Sequence, residues 1–544
     1  MSTGNNKSGD NFIKQGTILA AASVVSRIIG MLYRSPMSAA IGDEGNGLYS
    51  FAFEIYSIAL ILSSYSMPLA VSKLLSARFA KREYKNGMRI FWSAMFFASA
   101  AGLIMTLIIF LGAGLIEKAS GYVGLATPLR VLSPTIFVVA IAGTLRGFFQ
   151  SRKTMMPTAV SQLIEQIVNA IVSVAAAFLF VHLASSDVGK AKWGAAGGTL
   201  GTLFGALSAL AFLIFTYVIY KPRMKRHLGH DTTGYTESGR DISKLLAATI
   251  IPIILSQTVY QSIGIIDGFI FGNIYDGADR TVLYGIYSSK YRLMVNIPNA
   301  ISSALASSMI PTLVSLYALG NRREFRNKLA SSVKFNMVIA FPCAIGLMVL
   351  AWPIMKLLFP TTDTVVSGNM LFFGGIAVIF YALSTVTNAA LQGLDKMRIP
   401  VIHAAISLVI HVVLIYVLLL FTDLSAYALV IGNITYPLVV CILNWFSVAK
   451  YAEYRQEIRT TFIVPAIASI VMGGVVFGIS KLMQLILPSG YFANALLVMV
   501  CLIIAVAVYF VVLFLLKGLT REELKDFPMG MRLARLATKL KLMR

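Results

Sequence analysis

Charge is scarce in this chain. Asp, Glu, Lys and Arg make up 13% of its 544 residues, about half the share of an ordinary soluble domain. That leaves too little polar surface to cover a water-soluble body of this size, and excludes one. Histidine is rarer still: there are five, and none has a Cys or His partner at metal-ligand spacing. The three cysteines, Cys343, Cys441 and Cys501, lie inside apolar stretches. They read as small core hydrophobes, not as disulfide partners or ligands. The chain has no Walker A loop, no Ser-His-Asp set and no paired carboxylates in a soluble loop. Direct use of ATP and an enzymatic centre are therefore not expected, and no cofactor is implied. Acidic residues are outnumbered, 23 against 46 basic ones. The resulting net charge of +23 does not indicate a nucleic-acid partner, because the basic residues sit in short clusters between apolar runs.

Apolar sequence is what the chain has in abundance. It is 57% hydrophobic with a mean hydropathy of +0.78, and runs long enough to cross a bilayer recur from end to end. They predict an all-α polytopic membrane protein of fourteen spans: 13–40, 46–73, 88–114, 123–149, 155–183, 193–220, 242–272, 282–312, 330–357, 368–391, 399–421, 424–449, 461–480 and 490–516. The loops test this count. Basic clusters follow the even-numbered spans, including Arg78 to Arg89, Lys221 to Arg240, Arg322 to Lys328 and Lys517 onward. The intervening loops, such as GDEGNG at 42–47 and TTD at 361–363, are poor in Lys and Arg. This alternation places both termini in the cytoplasm. Residues 1–12 are polar and do not read as a cleavable signal. The segment 528–544 is basic and amphipathic, suited to the inner leaflet surface or to a frayed tail.

The two halves repeat. LRGFFQSRKTMMP at 145–157 matches LQGLDKMRIP at 391–400, SMPLAVSKL at 66–74 matches SMIPTLVSL at 308–316, and REYKNG at 82–87 matches REFRNK at 323–328. This divides the chain into an N-terminal lobe at 1–230 with spans 1–6, and a C-terminal lobe at 231–455 with spans 7–12. Spans 13 and 14 occupy 456–516, and a basic tail occupies 517–544. Six spans is an even number, so the lobes form a parallel repeat, an architecture suited to alternating access around a central cavity.

Charges left inside spans need a partner, a wet cavity or a route to the interface. Arg27 and Arg34 lie two turns apart on one face of span 1, with snorkelling to the headgroups as the alternative for Arg34. Glu54 lies in span 2. Glu165 lies in span 5, in a polar stripe with Gln162, Gln166 and Asn169. Asp267 lies in span 7, and Lys290 and Arg292 in span 8. The basic residues suggest an anionic substrate, since Arg matches phosphate oxygens with a rigid fork of donors. The carboxylates suit either coupling or structural ion pairing. Prolines 36, 68, 134, 252, 298, 311 and 342 lie in or at the ends of spans, where they can kink helices.

Fourteen spans, twin halves, S26-R27-I-I-G30-x-x-x-R34 in span 1 and the L-R-G and L-Q-G links together resemble the multidrug/oligosaccharidyl-lipid/polysaccharide exporter superfamily. Within it the chain is similar to the polysaccharide-biosynthesis branch of Gram-positive bacteria, the YtgP and SpoVB-like proteins, related to MurJ-like lipid II flippases. The resemblance implies a MATE-like fold in the plasma membrane and flipping of an undecaprenyl-diphosphate-linked sugar. It implies substrate binding by Arg27, Arg34 and one of Lys290 and Arg292, with Glu54 nearby, and coupling or cavity polarity at Glu165, Asn169 and Asp267. Two departures stand out. The span 1 arginines are seven apart where MurJ-like sequences usually have six. Span 2 carries Glu54 as its only charge where MurJ-like proteins carry an aspartate and arginines. Energy would come from the membrane potential or from Na⁺, H⁺ or chloride. Partners would be membrane lipids and the wall-synthesis machinery, with the protein working as a monomer. The alternatives are a flippase for a capsule, teichuronic or spore-related precursor, a cation-coupled drug exporter, and a non-transporting scaffold.

Overall fold

The computed structural model describes residues 22–23, 25–64, 66–152, 154–229, 231, 236–488, 490–520, 523 and 539. All regular elements among them are helical. Much of the first expected span and nearly all of the amphipathic segment 528–544 lie outside the described residues.

The chain divides into two compact units, Met1–Gly285 and Ile286–Arg544. In the first, helical residues 25–32 lead into α1 (Arg34–Ser63). Gly42 breaks α1 with φ 67°, a left-handed conformation open to glycine without a Cβ penalty. The expected loop between spans 1 and 2 thus shrinks to a kink. The unit continues with α2 (Met67–Ala80), α3 (Tyr84–Ser120), α4 (Ala126–Leu132), α5 (Pro134–Ser151), α6 (Met156–Leu183), α7 (Asp187–Gly229), α8 (Gly239–Ile274) and α9 (Arg280–Gly285). In the second, a π turn at Ile286–Tyr291 precedes α10 (Arg292–Ala318), α11 (Arg322–Val349), α12 (Ala351–Leu358), α13 (Val365–Gly374), α14 (Ala377–Gly393), α15 (Arg398–Phe421) and α16 (Tyr427–Ala452). A second π turn at Arg459–Ile463 opens onto α17 (Val464–Ile486), followed by α18 (Tyr491–Leu515).

Among the described residues eleven helices or joined helices are long and apolar enough to cross a membrane. The count is twelve if α13 and α14, bent by 47°, form one span. The fourteen spans expected are compatible with this. Span 13–40 begins outside the described residues, and span 242–272 is α8, 36 residues long, some of whose side chains are not described.

The helices are built inside out, as a bilayer demands. On α3, Ala94, Ala98 and Gly102 are buried while Leu103, Leu107, Leu111 and Leu115 are exposed. Large apolar side chains facing outward suit a hydrocarbon solvent, and small ones facing inward let backbones approach. Several prolines read as kink sites open helices instead. Pro68 and Pro134 sit in the first turns of α2 and α5, where the missing N–H has no intrahelical acceptor. Pro342 lies inside α11.

Each unit has its own core. In the first, Phe91, Phe148, Leu75, Leu213 and Leu246 bring α2, α3, α5, α7 and α8 together. In the second, α17 and α18 pack on each other and on α11 through Met472, Val476, Leu497, Cys501 and Val338. Cys343, Cys441 and Cys501 are free thiols, the last two buried.

Candidate functional site

In the first unit the polar stripe of α6 is matched by neighbouring helices. Ser23 Oγ donates to Gln162 Oε1 at 3.4 Å. Asn169 is buried; its amide donates to Tyr33 Oη at 3.4 Å, and its carbonyl accepts from Ser173 Oγ at 2.8 Å. Tyr33 and Tyr49 hydroxyls lie 3.5 Å apart, and Arg34 is within electrostatic reach of Tyr49. This close approach depends on α7. A side chain at Gly201 or Gly205 would overlap Ser173, Asn169 or the Glu165 carbonyl.

Glu165 has a definite partner. Its Oε2 accepts from Arg146 Nη2 at 2.7 Å, and Arg146 Nε donates to Ser161 Oγ at 3.0 Å. The two side chains are 13% and 24% exposed, and Tyr56 lies within electrostatic reach of both. Sequence reasoning placed Arg146 in the L-R-G link and overlooked it as a member of this set. The available signal was a lone arginine before the basic loop, which also fits the positive-inside pattern.

Glu54 and Asp267 meet the same surface of α8. Gly264, Gly268 and Gly272 recur every four residues and line one face of the helix. The Glu54 carboxylate packs on Gly264, the Phe51 ring on Gly268, and Tyr122 on Gly272. Asp267 is fully buried beside this face, within electrostatic reach of Tyr122. Tyr122 itself donates to the Gly268 carbonyl at 3.2 Å, and its ring stacks at a tilt with Phe51 and Tyr284. Arg27 is exposed and Arg34 half-buried.

In the second unit Lys290 sits in the π turn and is fully buried. Its ammonium donates to the Asp363 carbonyl at 2.9 Å and lies 5.8 Å from the centre of the Phe359 ring. Arg292 is half-buried, with its guanidinium 6.0 Å from the Tyr287 ring centre. π turns widen a helix by one residue and recur at functional sites. Here the turn seats Lys290 and Tyr291 side by side; Tyr291 Oη reaches the Gly374 carbonyl at 3.2 Å and Asn433 Oδ1 at 3.0 Å. Two buried histidines also join polar networks. His403 Nδ1 lies 2.7 Å from Asn444 Oδ1, and His411 Nδ1 lies 3.0 Å from the Gly432 carbonyl. Asn444 donates to Thr387 Oγ1 and Asn388 Oδ1 at 2.9 and 2.8 Å. No group of three or more His, Cys, Asp or Glu able to hold a metal occurs among the described residues.

These helices carry the fold of the transporters of the multidrug/oligosaccharidyl-lipid/polysaccharide exporter superfamily. A solved structure titled as the lipid II flippase MurJ in an inward closed conformation matches with a TM-score of 0.68 at 16% identity, covering 91% of this chain and 98% of the other. An inward-facing multidrug resistance MATE transporter matches with a TM-score of 0.61 at 15% identity, over 78% and 94%. The polysaccharide biosynthesis protein family model matches residues 12–317, more than half the chain, and the protein belongs to that family. The MatE model matches residues 252–417. Among curated relatives, the lipid II flippase MurJ of Bacillus subtilis is 26% identical over 84% of this chain and 86% of its own length. Stage V sporulation protein B of the same organism is 23% identical over 96% and 98%.

Proposed function

We propose that the protein flips lipid II, the undecaprenyl-diphosphate-linked peptidoglycan precursor, from the inner to the outer leaflet of the bacterial plasma membrane by alternating access. The observation that carries this reading is the match to the relative named lipid II flippase over 482 residues. The arginines in the membrane-spanning helices supply the chemistry, since a guanidinium fork suits a diphosphate. Arg27 and Arg34 are the proposed ligands in the first unit. Arg292 is preferred to Lys290 in the second, because Lys290 is fully buried on a backbone carbonyl. Both termini are assigned to the cytoplasm from the basic loops. The membrane potential, or a Na⁺, H⁺ or chloride gradient, would drive the cycle.

A second reading is favoured by a specific observation. Stage V sporulation protein B matches over more of both chains than the flippase does, which supports a different lipid-linked glycan precursor. Depletion of the protein followed by measurement of lipid II on the outer leaflet separates the two. The leading reading expects its appearance outside to stall, and an unchanged rate refutes it. Arg27→Ala is expected to abolish complementation at an unchanged protein level. Normal growth would remove Arg27 from the site.

A further inference from the structure

A cavity of about 370 Å³, the lower end of the range for small-molecule sites, opens in the second unit. Its walls come from α10, α11 and α14 and from the segment after α18. One wall is apolar, with Leu305, Met309 and Leu519; the other carries Lys328, Lys334 and the hydroxyl of Ser332. Lys334 is 9% exposed. Its Nζ donates to Glu523 Oε1 at 2.6 Å.

Glu523 reaches this place from outside the membrane helices. It lies beyond the end of α18, and buried Leu519 anchors the chain just before it. Its other oxygen accepts from the Thr520 N–H at 2.8 Å, while its own N–H donates to Thr520 Oγ1 at 3.3 Å. This reciprocal pair is a capping box. It holds the carboxylate pointing into the cavity mouth, so one anionic oxygen of the tail occupies the Lys334 ammonium.

We propose that this cavity binds a phosphate-bearing amphiphile, with Lys334 and Lys328 holding the phosphate, and that the Glu523 carboxylate is a built-in occupant which the phosphate displaces. With Glu523 in place, the three charges sum to +1; with it withdrawn they sum to +2, which a phosphate neutralises. The apolar wall accommodates the chain attached to it. A phosphate brings more charge and more acceptor oxygens to Lys334 than the single carboxylate oxygen it replaces. The site is independent of which glycan the protein carries.

The test uses the full chain in phosphatidylcholine nanodiscs, with phosphatidic acid added to the bilayer or inorganic pyrophosphate to the buffer. A carbodiimide joins salt-bridged Lys and Glu directly, so the Lys334–Glu523 cross-link reports the latch. Either probe is expected to suppress it. Suppression by phosphatidic acid alone supports a lipid headgroup as the ligand, and suppression by pyrophosphate alone supports a soluble phosphate. Glu523→Gln is expected to tighten binding of the effective probe about tenfold, and Lys334→Gln to weaken it about tenfold, the weight of one hydrogen bond to a charged group. Lys328→Gln and cross-linking of the unaltered chain decide the matter should Lys334→Gln fail to fold. A cross-link indifferent to both probes, or binding unchanged by the lysine variants, overturns the proposal.

Discussion

Arg146 and Glu165 meet at 2.7 Å across the turn between α5 and α6, joining the L-R-G link of the repeat to the polar stripe of the following helix. Removing one partner leaves a charge in a poorly hydrated setting. A fully buried case loses about 3–5 kcal/mol, and the residual exposure here reduces that to about 2 kcal/mol. Arg146→Ala and Glu165→Ala are each expected to lower the thermal midpoint in detergent. The double variant should lose less than the sum, with a coupling of about 1–2 kcal/mol. Additive effects would show the pair to be uncoupled.

Gly268 is where α8 touches the Phe51 ring. A branched side chain there must push apart two helices whose neighbouring positions carry Glu54 and Asp267. Gly268→Val is expected to destabilise by about 3 kcal/mol or prevent folding, as overpacking does in close-packed cores. Gly474→Val is the control, because a Cβ at that position meets open space. Fluorescence-detected size exclusion distinguishes them, and equal profiles would refute the close-approach argument.

Asn444 is fully buried and hydrogen-bonded to His403, Thr387 and Asn388. Asn444→Leu removes three interactions and strands their partners at once. The expected loss is about 2–4 kcal/mol, read as a fall in the thermal midpoint. Ser447→Ala touches only the weaker 3.3 Å contact to His403 and should change it little.

Glu457 gathers the N–H groups of Thr460 and Thr461 and both their hydroxyls at the start of the second π turn. Partial burial pushes its carboxyl up, but these hydrogen bonds outweigh it and hold the group below the usual range. A depressed folded value means the stabilisation is fully present above the unfolded value of about 4.3 and is lost as pH falls through the folded one. Glu457→Gln is therefore expected to be less stable than the parent at neutral pH, by about 1 kcal/mol or less. The two curves should converge as pH drops below the carboxylate range. A difference that stays constant with pH would assign the effect to packing.

Much of the framework was legible because the bilayer imposes a length. Helices α15 and α18 begin and end within a residue of the expected spans 399–421 and 490–516. The joint between the first two spans was expected as a six-residue loop and is a kink at Gly42, since only the backbone geometry reports that a single glycine suffices. The candidate charges were found individually, but their relationships were not. Glu165 was grouped with basic residues of other spans. Its partner is Arg146, brought close by the α5–α6 turn and set apart in sequence by the basic link. The α8 glycines passed unremarked, because glycine is common in membrane helices and only the ring of Phe51 shows what their spacing admits.

By itself the sequence determined that the chain lives in a membrane, where it crosses, and which few charges must be accommodated there. Those follow from the free energy of placing polar groups in hydrocarbon, which is a property of each segment alone. Only the tertiary structure decided that Lys290 lies buried on the Asp363 carbonyl while Arg292 keeps partial exposure, that Arg146 belongs to Glu165, and that Glu523 returns to Lys334. Such pairings depend on which helices pack side by side, and hydropathy, being an average along one helix, carries no record of its neighbours.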